Sequence, residues 1–239
     1  MSIKVKAIIL AAGRSSRLYP ITIDRPKCLL KVGRQTVIEH QISWLRACGI
    51  KDILVVTGYL HKMIEQHLGS SVRYSFYDKY AKTNNLYTLY SVRDDMDDDL
   101  IILFSDVLIS LNILKKCMSH DSEMSLIVDT HNVTDKTMRV CIADKAIIDI
   151  GSHISVEEAD GNFVGIGKFT KKSTVSLLNK MEELVDKNMY SDDYYTIALS
   201  KLAFEGYPIR FVDSCEEYWV EMDTQDDYER VLESHFAIS

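Results

Sequence analysis

The stretch that decides the fold is Lys4-Val5-Lys6-Ala7-Ile8-Ile9-Leu10-Ala11-Ala12-Gly13-Arg14-Ser15-Ser16-Arg17-Leu18-Tyr19-Pro20, continued by Pro26-Lys27-Cys28-Leu29-Leu30-Lys31-Val32-Gly33. Residues 5–10 are apolar on both faces, the pattern of a strand buried in a parallel sheet. The strand runs into Ala11, Ala12 and Gly13, small residues that let a backbone approach a ligand closely, and a glycine allows the sharp turn such an approach needs. Arg14 and Arg17 follow at once, and Lys27 stands behind a proline ten positions beyond Arg17. Cations so placed suit a polyphosphate. The stretch therefore reads as a cradle for a nucleoside triphosphate.

Outward from the cradle, strands and helices alternate. Thr36-Val37-Ile38-Glu39 has the form of a capping box and opens a helix with Val37, Ile38, Ile42, Trp44 and Leu45 as its apolar positions. Gly49 is placed to stop it. Residues 52–57 form a second buried strand, followed by Gly58-Tyr59 and a helix around 62–68. A third strand over 72–77, a helix over 85–95 and a fourth strand over 100–104 lead to Ser105-Asp106. This alternation predicts an α/β domain, Rossmann-like, with a mixed, mainly parallel sheet flanked by helices. Ligands of such sheets bind beyond the carboxyl ends of the strands, where both the Gly13 loop and Asp106 fall.

The middle of the chain changes character. Short strands over 124–130, 138–143 and 146–150, with Asp144-Lys145 as a hairpin tip, predict a small β-rich insertion over the active edge. A strand over 163–169 returns to the main sheet. Helices over 172–188 and 192–206, a strand over 209–213 and a closing helix over 224–235 complete one domain spanning 1–239. Its nucleotide-binding half is 1–110 and its acceptor-binding half 111–239.

Of 239 residues, 46% are hydrophobic, enough to bury a sizeable core, and 35 acids against 28 bases leave a net charge of −7. That balance argues against a nucleic-acid coat or a polybasic membrane anchor. Cys28, Cys48, Cys117, Cys141 and Cys215 are irregularly spaced and odd in number, which points to a reducing, cytoplasmic setting. Neither they nor the seven histidines have zinc-ligand spacing. Lys4 and Lys6 ahead of a short apolar run imitate a signal peptide, but Gly13-Arg14 breaks the run. No stretch approaches the roughly 20 apolar residues of a membrane span, so no membrane partner is expected. The acidic run Asp94-Asp95-Met96-Asp97-Asp98-Asp99 lacks the glycine and terminal glutamate of a calcium loop and reads as a solvated connection.

The cradle is neither a P-loop nor a Gly-x-Gly-x-x-Gly dinucleotide turn. Its pattern, Leu10-Ala11-Ala12-Gly13-x-x-Ser16-Arg17-Leu18, Pro20, then Pro26-Lys27-x-Leu29-Leu30, resembles the signature of the nucleotidyltransferases that activate sugar 1-phosphates and phosphorylated alcohols. Tyr77-Asp78-Lys79-Tyr80, Asn84-Asn85-x-Tyr87-Thr88-Leu89, Ser105-Asp106 and Glu221-Met222-Asp223-Thr224-x-Asp226-Asp227-Tyr228 are similar to the short CTP:phosphocholine cytidylyltransferases. Glu158-Ala159-x-Gly161-Asn162-Phe163-Val164-Gly165-Ile166 looks like units that cytidylylate phosphonates such as 2-aminoethylphosphonate. Ser15 departs from a family that often has glycine there, which leaves the fine loop geometry open.

The resemblance implies a GT-A-like fold, Mg2+ as cofactor, CTP and a small phosphorylated or phosphonylated acceptor as substrates, and a product that feeds a cell-surface polymer. Such a reaction gathers two anions that repel each other and stabilises charge on departing pyrophosphate. Arg17 then suits the β- and γ-phosphates, and Lys27 the α-phosphate or the incoming phosphate. Asp106 and Asp223, with Glu221 as a further partner, would hold the magnesium; Asp223 serves equally well as a helix N-cap. Leu10, Ala11, Ala12, Gly13, Arg14, Ser15 and Ser16 line the nucleotide, and Asn84 and Asn85 offer amides to a pyrimidine edge, Asn84 alternatively as a helix cap. For the acceptor, Asp192, Asp193, Tyr194, Tyr195 and Glu158 are candidates, with Glu157, Arg139 and Lys168 beside them. Asp192 and Asp193 are otherwise helix-capping acids, and Glu157 and Glu158 exposed loop acids. The protein is expected to be a monomer or homodimer. Alternatives are a sugar-1-phosphate uridylyl- or thymidylyltransferase and a nucleotide-binding regulatory subunit without catalysis.

Overall fold

The computed structural model describes residues 5–234; Lys4 of the cradle stretch and His235 of the expected closing helix lie outside the described residues. In chain order the elements are β1 (Val5–Ala11), β2 (Lys31–Val32), β3 (Gln35–Thr36), α1 (Val37–Ala47), β4 (Asp52–Thr57), α2 (His61–Leu68), β5 (Arg73–Phe76), α3 (Asn85–Tyr90), β6 (Asp99–Phe104) and β7 (Val107–Ile109). They continue with α4 (Leu111–Ser119), β8 (Met124–Asp129), β9 (Arg139–Ala143), β10 (Ala146–Gly151), β11 (Gly161–Phe169), α5 (Lys171–Asp186), α6 (Thr196–Phe204), β12 (Arg210–Asp213), β13 (Trp219–Glu221) and α7 (Gln225–Glu233). No helix among the described residues is long and apolar enough to cross a membrane.

A nine-stranded sheet runs in the order β10-β9-β11-β6-β1-β4-β5, with β8 on β11 and β12 on β8. The doubly apolar strand of the cradle is β1, flanked in parallel register by β4 and β6. Its residues from Ala7 to Ala11 are all buried, as a central parallel strand requires. The predicted capping box closes as drawn: the Thr36 amide donates to Glu39 Oε2 at 2.7 Å, and α1 buries Val37, Ile38, Ile42, Trp44 and Leu45. Asp144 and Lys145 form the hairpin tip, both at positive φ (48° and 60°).

The β-rich segment is not a separate lobe. β9 and β10 pair with each other and β9 pairs with β11, so the hairpin extends the main sheet rather than lying over it. β11 itself bends. It pairs with β9 through Gly161 and Asn162, and with β6 through residues 166–169. At Gly165 (φ +85°) a Cβ would lie 2.8 Å from the Phe104 ring, so only glycine lets the strand turn against β6 there. This bend sets Phe163 edge-on to Phe104 with ring centroids 5.9 Å apart.

The sequence reading drew none of β2, β3, β7, α4 and β13, of which all but the nine-residue α4 are too short to carry a period. β7 follows β6 after a two-residue turn and pairs antiparallel with β13, joining Val107 to Glu221 across the chain. Met222 then donates its amide to Asp106 O at 3.0 Å. The acidic run between α3 and β6 is structural: Asp95 pairs with Arg73, Asp97 with Lys6, and Asp99 accepts from the Lys171 amide.

Candidate active site

A cavity of about 310 Å³ opens at the carboxyl ends of β1 and β6. Leu10 and Ala11 reach it from the end of β1, Ala12, Gly13, Ser15 and Arg17 from the loop that follows, and Lys27 from a short 3₁₀ turn. Tyr80 comes from the loop after β5, Asn84 and Asn85 from the start of α3, Asp106 from the turn after β6, and Tyr194, Glu221 and Asp223 from the C-terminal half. Arg14 and Ser16 do not line it; Arg14 instead lies 5.8 Å from the Tyr80 ring.

The loop geometry left open by Ser15 is resolved by its backbone: φ 51° and ψ 46°, the left-handed region where glycine is the usual occupant. Ser15 O accepts from Thr22 Oγ1 at 2.8 Å and from Leu18 N at 3.1 Å, which holds the turn. Gly13 is not needed for a sharp turn, since its φ is outside the left-handed region and a Cβ would meet nothing within 4 Å. What it does is keep the cavity open. Close approach is required at Gly58 instead, where a Cβ would sit 2.6 Å from Ala12 O and 2.8 Å from the Tyr80 side chain.

Charge is concentrated at one end of the cavity. Lys27, only 6% exposed, places Nζ 2.6 Å from Asp223 Oδ1 and 2.8 Å from Asp106 Oδ2. Arg17 Nη1 lies 2.9 Å from Asp223 Oδ2, while 62% of the arginine side chain remains exposed to the cavity mouth. Burial by itself would lower the Lys27 pKa, but the charges and hydrogen bonds of Asp106 and Asp223 carry it above the ordinary lysine range. The Glu221 carboxyl is pushed well above the usual carboxylate range by burial and by the neighbouring charges of Asp106 and Asp223.

Asp223 is not a helix cap: Thr224 caps α7 and closes a box with Asp227, leaving the Asp223 carboxylate for the two cations. Asp106, Glu221 and Asp223 each bring an oxygen within 4.8 Å of one another, and no other group of three or more such residues gathers among the described residues. Asp106 Oδ1 is buried with no hydrogen-bond partner. Three carboxylates against two cations, all-oxygen donors and an orphaned buried oxygen fit a hard divalent cation such as Mg2+.

Asn84 both caps and tethers. Its Oδ1 accepts from the Asn85 amide at 2.8 Å and its Nδ2 donates to Asp192 O at 3.0 Å. Asn85 Oδ1 accepts from Tyr195 N at 2.7 Å. The pair thus anchors the 190s segment beside the cavity, and of the two amides only the Asn85 NH2 lacks a partner among the described residues.

Several acceptor candidates need correcting. α6 starts at Thr196, so Asp192 and Asp193 do not cap it, and neither lines a cavity here; their carbonyls serve Asn84 and Leu86. Tyr195 is wholly buried, edge-on to Phe104 at 5.7 Å, because the segment turns inward at the helix start. Glu158 accepts from Ser155 Oγ at 2.8 Å in a local cap, and Glu157 lines neither cavity. Arg139 and Lys168 donate to backbone carbonyls, Arg139 to Ile154 and Ser152 and Lys168 to His120, while Arg139 Nη1 is buried with no partner among the described residues. Tyr194 alone of the five lines the site, its hydroxyl pKa raised by burial against the lowering influence of Arg17.

What the sequence did not reveal is an adjoining cavity of about 210 Å³ that shares Arg17, Tyr194, Glu221 and Asp223 with the first. It is bounded by Asp135, Lys136, Thr137 and Met138 before β9, Ser152 after β10, and Phe163. Lys136 Nζ reaches Asp227 Oδ1 at 3.1 Å, pinning this loop to α7. Loop residues without spacing or charge pattern carry no sequence signal for such a wall.

Tyr195→Phe tests the inward placement of Tyr195. The buried hydroxyl has no partner, so its removal is expected to raise stability by about 1 kcal/mol in thermal unfolding, with acceptor KM unchanged within twofold. A tenfold rise in that KM would return Tyr195 to the site.

A family model for nucleotidyl transferases matches residues 6–233 of the chain. The chain is similar to the choline-phosphate cytidylyltransferase of Streptococcus pneumoniae, 31% identical over 90% of this chain and 95% of that one. It is also similar to the CTP:phosphoglutamine cytidylyltransferase of Campylobacter jejuni, 26% identical over 96% of this chain and 100% of that one. Among solved structures, the CTP:phosphocholine cytidylyltransferase from Streptococcus pneumoniae superposes with a TM-score of 0.83 at 25% identity, covering 97% of this chain and 99% of that one.

Proposed function

Because the chain belongs to the nucleotidyl transferase family, we propose that it transfers CMP from CTP to a small phosphorylated or phosphonylated acceptor and releases pyrophosphate. The observation that carries this is the buried Lys27 held between Asp106 and Asp223 in the larger cavity, with Arg17 on the far oxygen of Asp223 and both Arg17 and Asp223 bordering the two cavities. The larger cavity takes the nucleotide and the adjoining one the acceptor. In domain terms, 1–110 supplies most of the nucleotide contacts, and 111–239 the acceptor wall and two of the acids.

The chemistry is displacement at phosphorus. An acceptor phosphate oxygen forms a bond to the α-phosphorus of CTP while the α–β bridging bond breaks and its electrons leave on pyrophosphate. A phosphate oxygen is already nucleophilic at neutral pH, so the site needs no general base. Arg17, exposed and fork-shaped, binds the β- and γ-phosphates bidentately. Lys27 stands where the two anions meet and lowers their mutual repulsion. Fixed cations of this kind act on charge that grows in the transition state, which makes them worth more than their ground-state contacts. Asp106, Asp223 and Glu221 would hold Mg2+, which when bound neutralises phosphate charge and polarises the α-phosphoryl group. Lys27 and Phe104 are buried beside the cavity, with the half-buried Tyr194 facing it, so the reacting phosphorus would be shielded on that side.

The backbone of Leu10 to Gly13 lies against the base and sugar. Asn85 has only its NH2 to offer, and such a donor matches O2 of cytosine or of uracil equally. That observation keeps a sugar-1-phosphate uridylyl- or thymidylyltransferase as the second reading. All five cysteines are free, which suits the reducing cytoplasm, where a CDP-linked precursor for a surface polymer would be made.

The test is purified protein with Mg2+, each of four NTPs, and a panel of phosphocholine, aminoethylphosphonate and sugar 1-phosphates, scored by pyrophosphate release. Turnover with CTP and a phosphorylated or phosphonylated alcohol is expected. Turnover with UTP or dTTP and a sugar phosphate, but not with CTP, would replace the first reading by the second.

A further inference from the structure

Gln41 lies in the middle of α1, on the face the helix buries, and is wholly inaccessible. Helical periodicity calls for an apolar residue at that position, flanked as it is by Ile38, Ile42 and Leu45. Its Nε2 instead donates both hydrogens, to Phe104 O and to Val107 O, each at 2.8 Å. Those carbonyls belong to the last residue of β6 and the first of β7, so the amide spans the Ser105-Asp106 turn from end to end. The third carbonyl of the turn, Asp106 O, accepts from Met222 N at 3.0 Å, the residue that directly follows β13. The carboxylate of Asp106 then points to Lys27, with its other oxygen orphaned in the site.

The orientation of the Gln41 amide follows from its surroundings. Turned the other way, its oxygen would face two carbonyl oxygens, and two buried acceptors would lose their donors. The cost of the observed orientation is visible as well, because Gln41 Oε1 is buried with no partner. A side chain that served packing alone would be apolar here. An amide that leaves its own oxygen unsatisfied in order to hold two carbonyls marks the turn as the thing being held.

We propose that Gln41 is a positioning residue for the reaction: by clamping Phe104 O and Val107 O it fixes the Asp106 turn, and through it the Asp106 carboxylate relative to Lys27 and to the divalent-cation site. This rests on the functional reading above. Gln41 touches no substrate and no reacting atom. Small displacements matter here because a catalytic group misplaced by about 1 Å costs on the order of 100-fold in rate.

Gln41→Met fills the same volume and donates nothing, and Gln41→Leu is a second variant should that one fold poorly. Leu45→Ala is the control, a buried change on the same helix, one turn further from the cradle end. For Gln41→Met the expected result is a roughly 30- to 100-fold fall in kcat with the KM for CTP held within twofold. Mn2+ binding to the protein without nucleotide, read by electron paramagnetic resonance, is expected to weaken about tenfold. Leu45→Ala is expected to melt at least as far below the wild type while keeping kcat and Mn2+ affinity within twofold. If Gln41→Met and Gln41→Leu melt lower but retain wild-type kcat and Mn2+ affinity, the role is packing and the proposal is overturned. It is equally overturned if Leu45→Ala loses kcat and Mn2+ affinity in step with them. Should the wild type turn over none of the substrate pairs, the functional reading fails, while the Mn2+ comparison still decides the role of Gln41.

Discussion

Lys27→Ala is expected to lower kcat by about 100- to 1,000-fold, the usual cost of removing one preorganised contact to developing charge. The effect falls on kcat rather than on CTP affinity, because Arg17 and the backbone of the β1 loop still grip the nucleotide. Stability is expected to fall too. Nζ is within 2.8 Å of both Asp106 and Asp223, and its removal leaves those carboxylates facing each other in a buried site. Breaking a buried ion pair from one side typically costs about 3–5 kcal/mol. The sign of the pH dependence is clear. The lysine pKa is raised in the folded protein, so its contribution is complete below the ordinary lysine value and is lost only as pH climbs through the raised one. The full difference between wild type and variant is therefore present at neutral pH, where thermal unfolding and pyrophosphate release are both measured. Turnover equal to wild type would remove Lys27 from the mechanism.

Asp223→Asn is expected to cost more, about 1,000-fold or beyond in kcat. One oxygen of Asp223 meets Lys27 and the other meets Arg17, and the same carboxylate is one of the three that gather at the candidate cation site. Asparagine keeps the size of the side chain and removes the charge, so both cations lose their anchor at once. The Mg2+ concentration for half-maximal rate is expected to rise together with the loss in kcat, whereas α7 stays capped, since Thr224 and Asp227 form that box without Asp223. A variant within tenfold of wild-type kcat would mean that Asp106 and Glu221 suffice and that Asp223 serves only to hold Lys27.

The two variants separate roles that the geometry joins. Lys27 is a buried point charge and Arg17 a largely exposed fork, yet both converge on Asp223. Loss of kcat without a change in Mg2+ requirement is the signature expected of Lys27. Loss of both is the signature expected of Asp223.

Much of the fold is legible in contiguous residues. Every residue from Ala7 to Ala12 is apolar or small, and that run could only be a buried strand opening onto a loop. Thr36 and Glu39 announce α1 because a capping box is made within four residues. The Asp144-Lys145 tip is likewise local. Leu10 to Gly13, Ser15, Arg17, Lys27 and Asp106 were singled out by the same local reasoning, at or just past the end of a strand or past a proline, and the structure brings them to one cavity at the carboxyl edge of the sheet, whereas Arg14 and Ser16 stay outside its lining.

The failures are equally physical. Tyr194 and Tyr195 are adjacent and alike in sequence, but a helix start places one in the cavity and the other in the core. Asn84 looked available to a pyrimidine, and its amide is instead committed to Asp192 O, more than a hundred positions away. Gln41 drew no expectation from the sequence, because the carbonyls it serves belong to a turn over sixty residues downstream. The wall before β9 carried no pattern at all.

A strand, a cap or a turn depends on neighbours a few residues apart, so hydrophobic period and capping chemistry were enough to specify the β1 cradle and the α/β alternation around it. The pairing of Lys27 with Asp223 spans 196 positions, and nothing local distinguishes that aspartate from the helix cap it resembles. The β7–β13 ladder and the Met222–Asp106 hydrogen bond join the middle of the chain to its C-terminal part, and that tertiary pairing, not any local pattern, gathers three scattered carboxylates and two cations in one place.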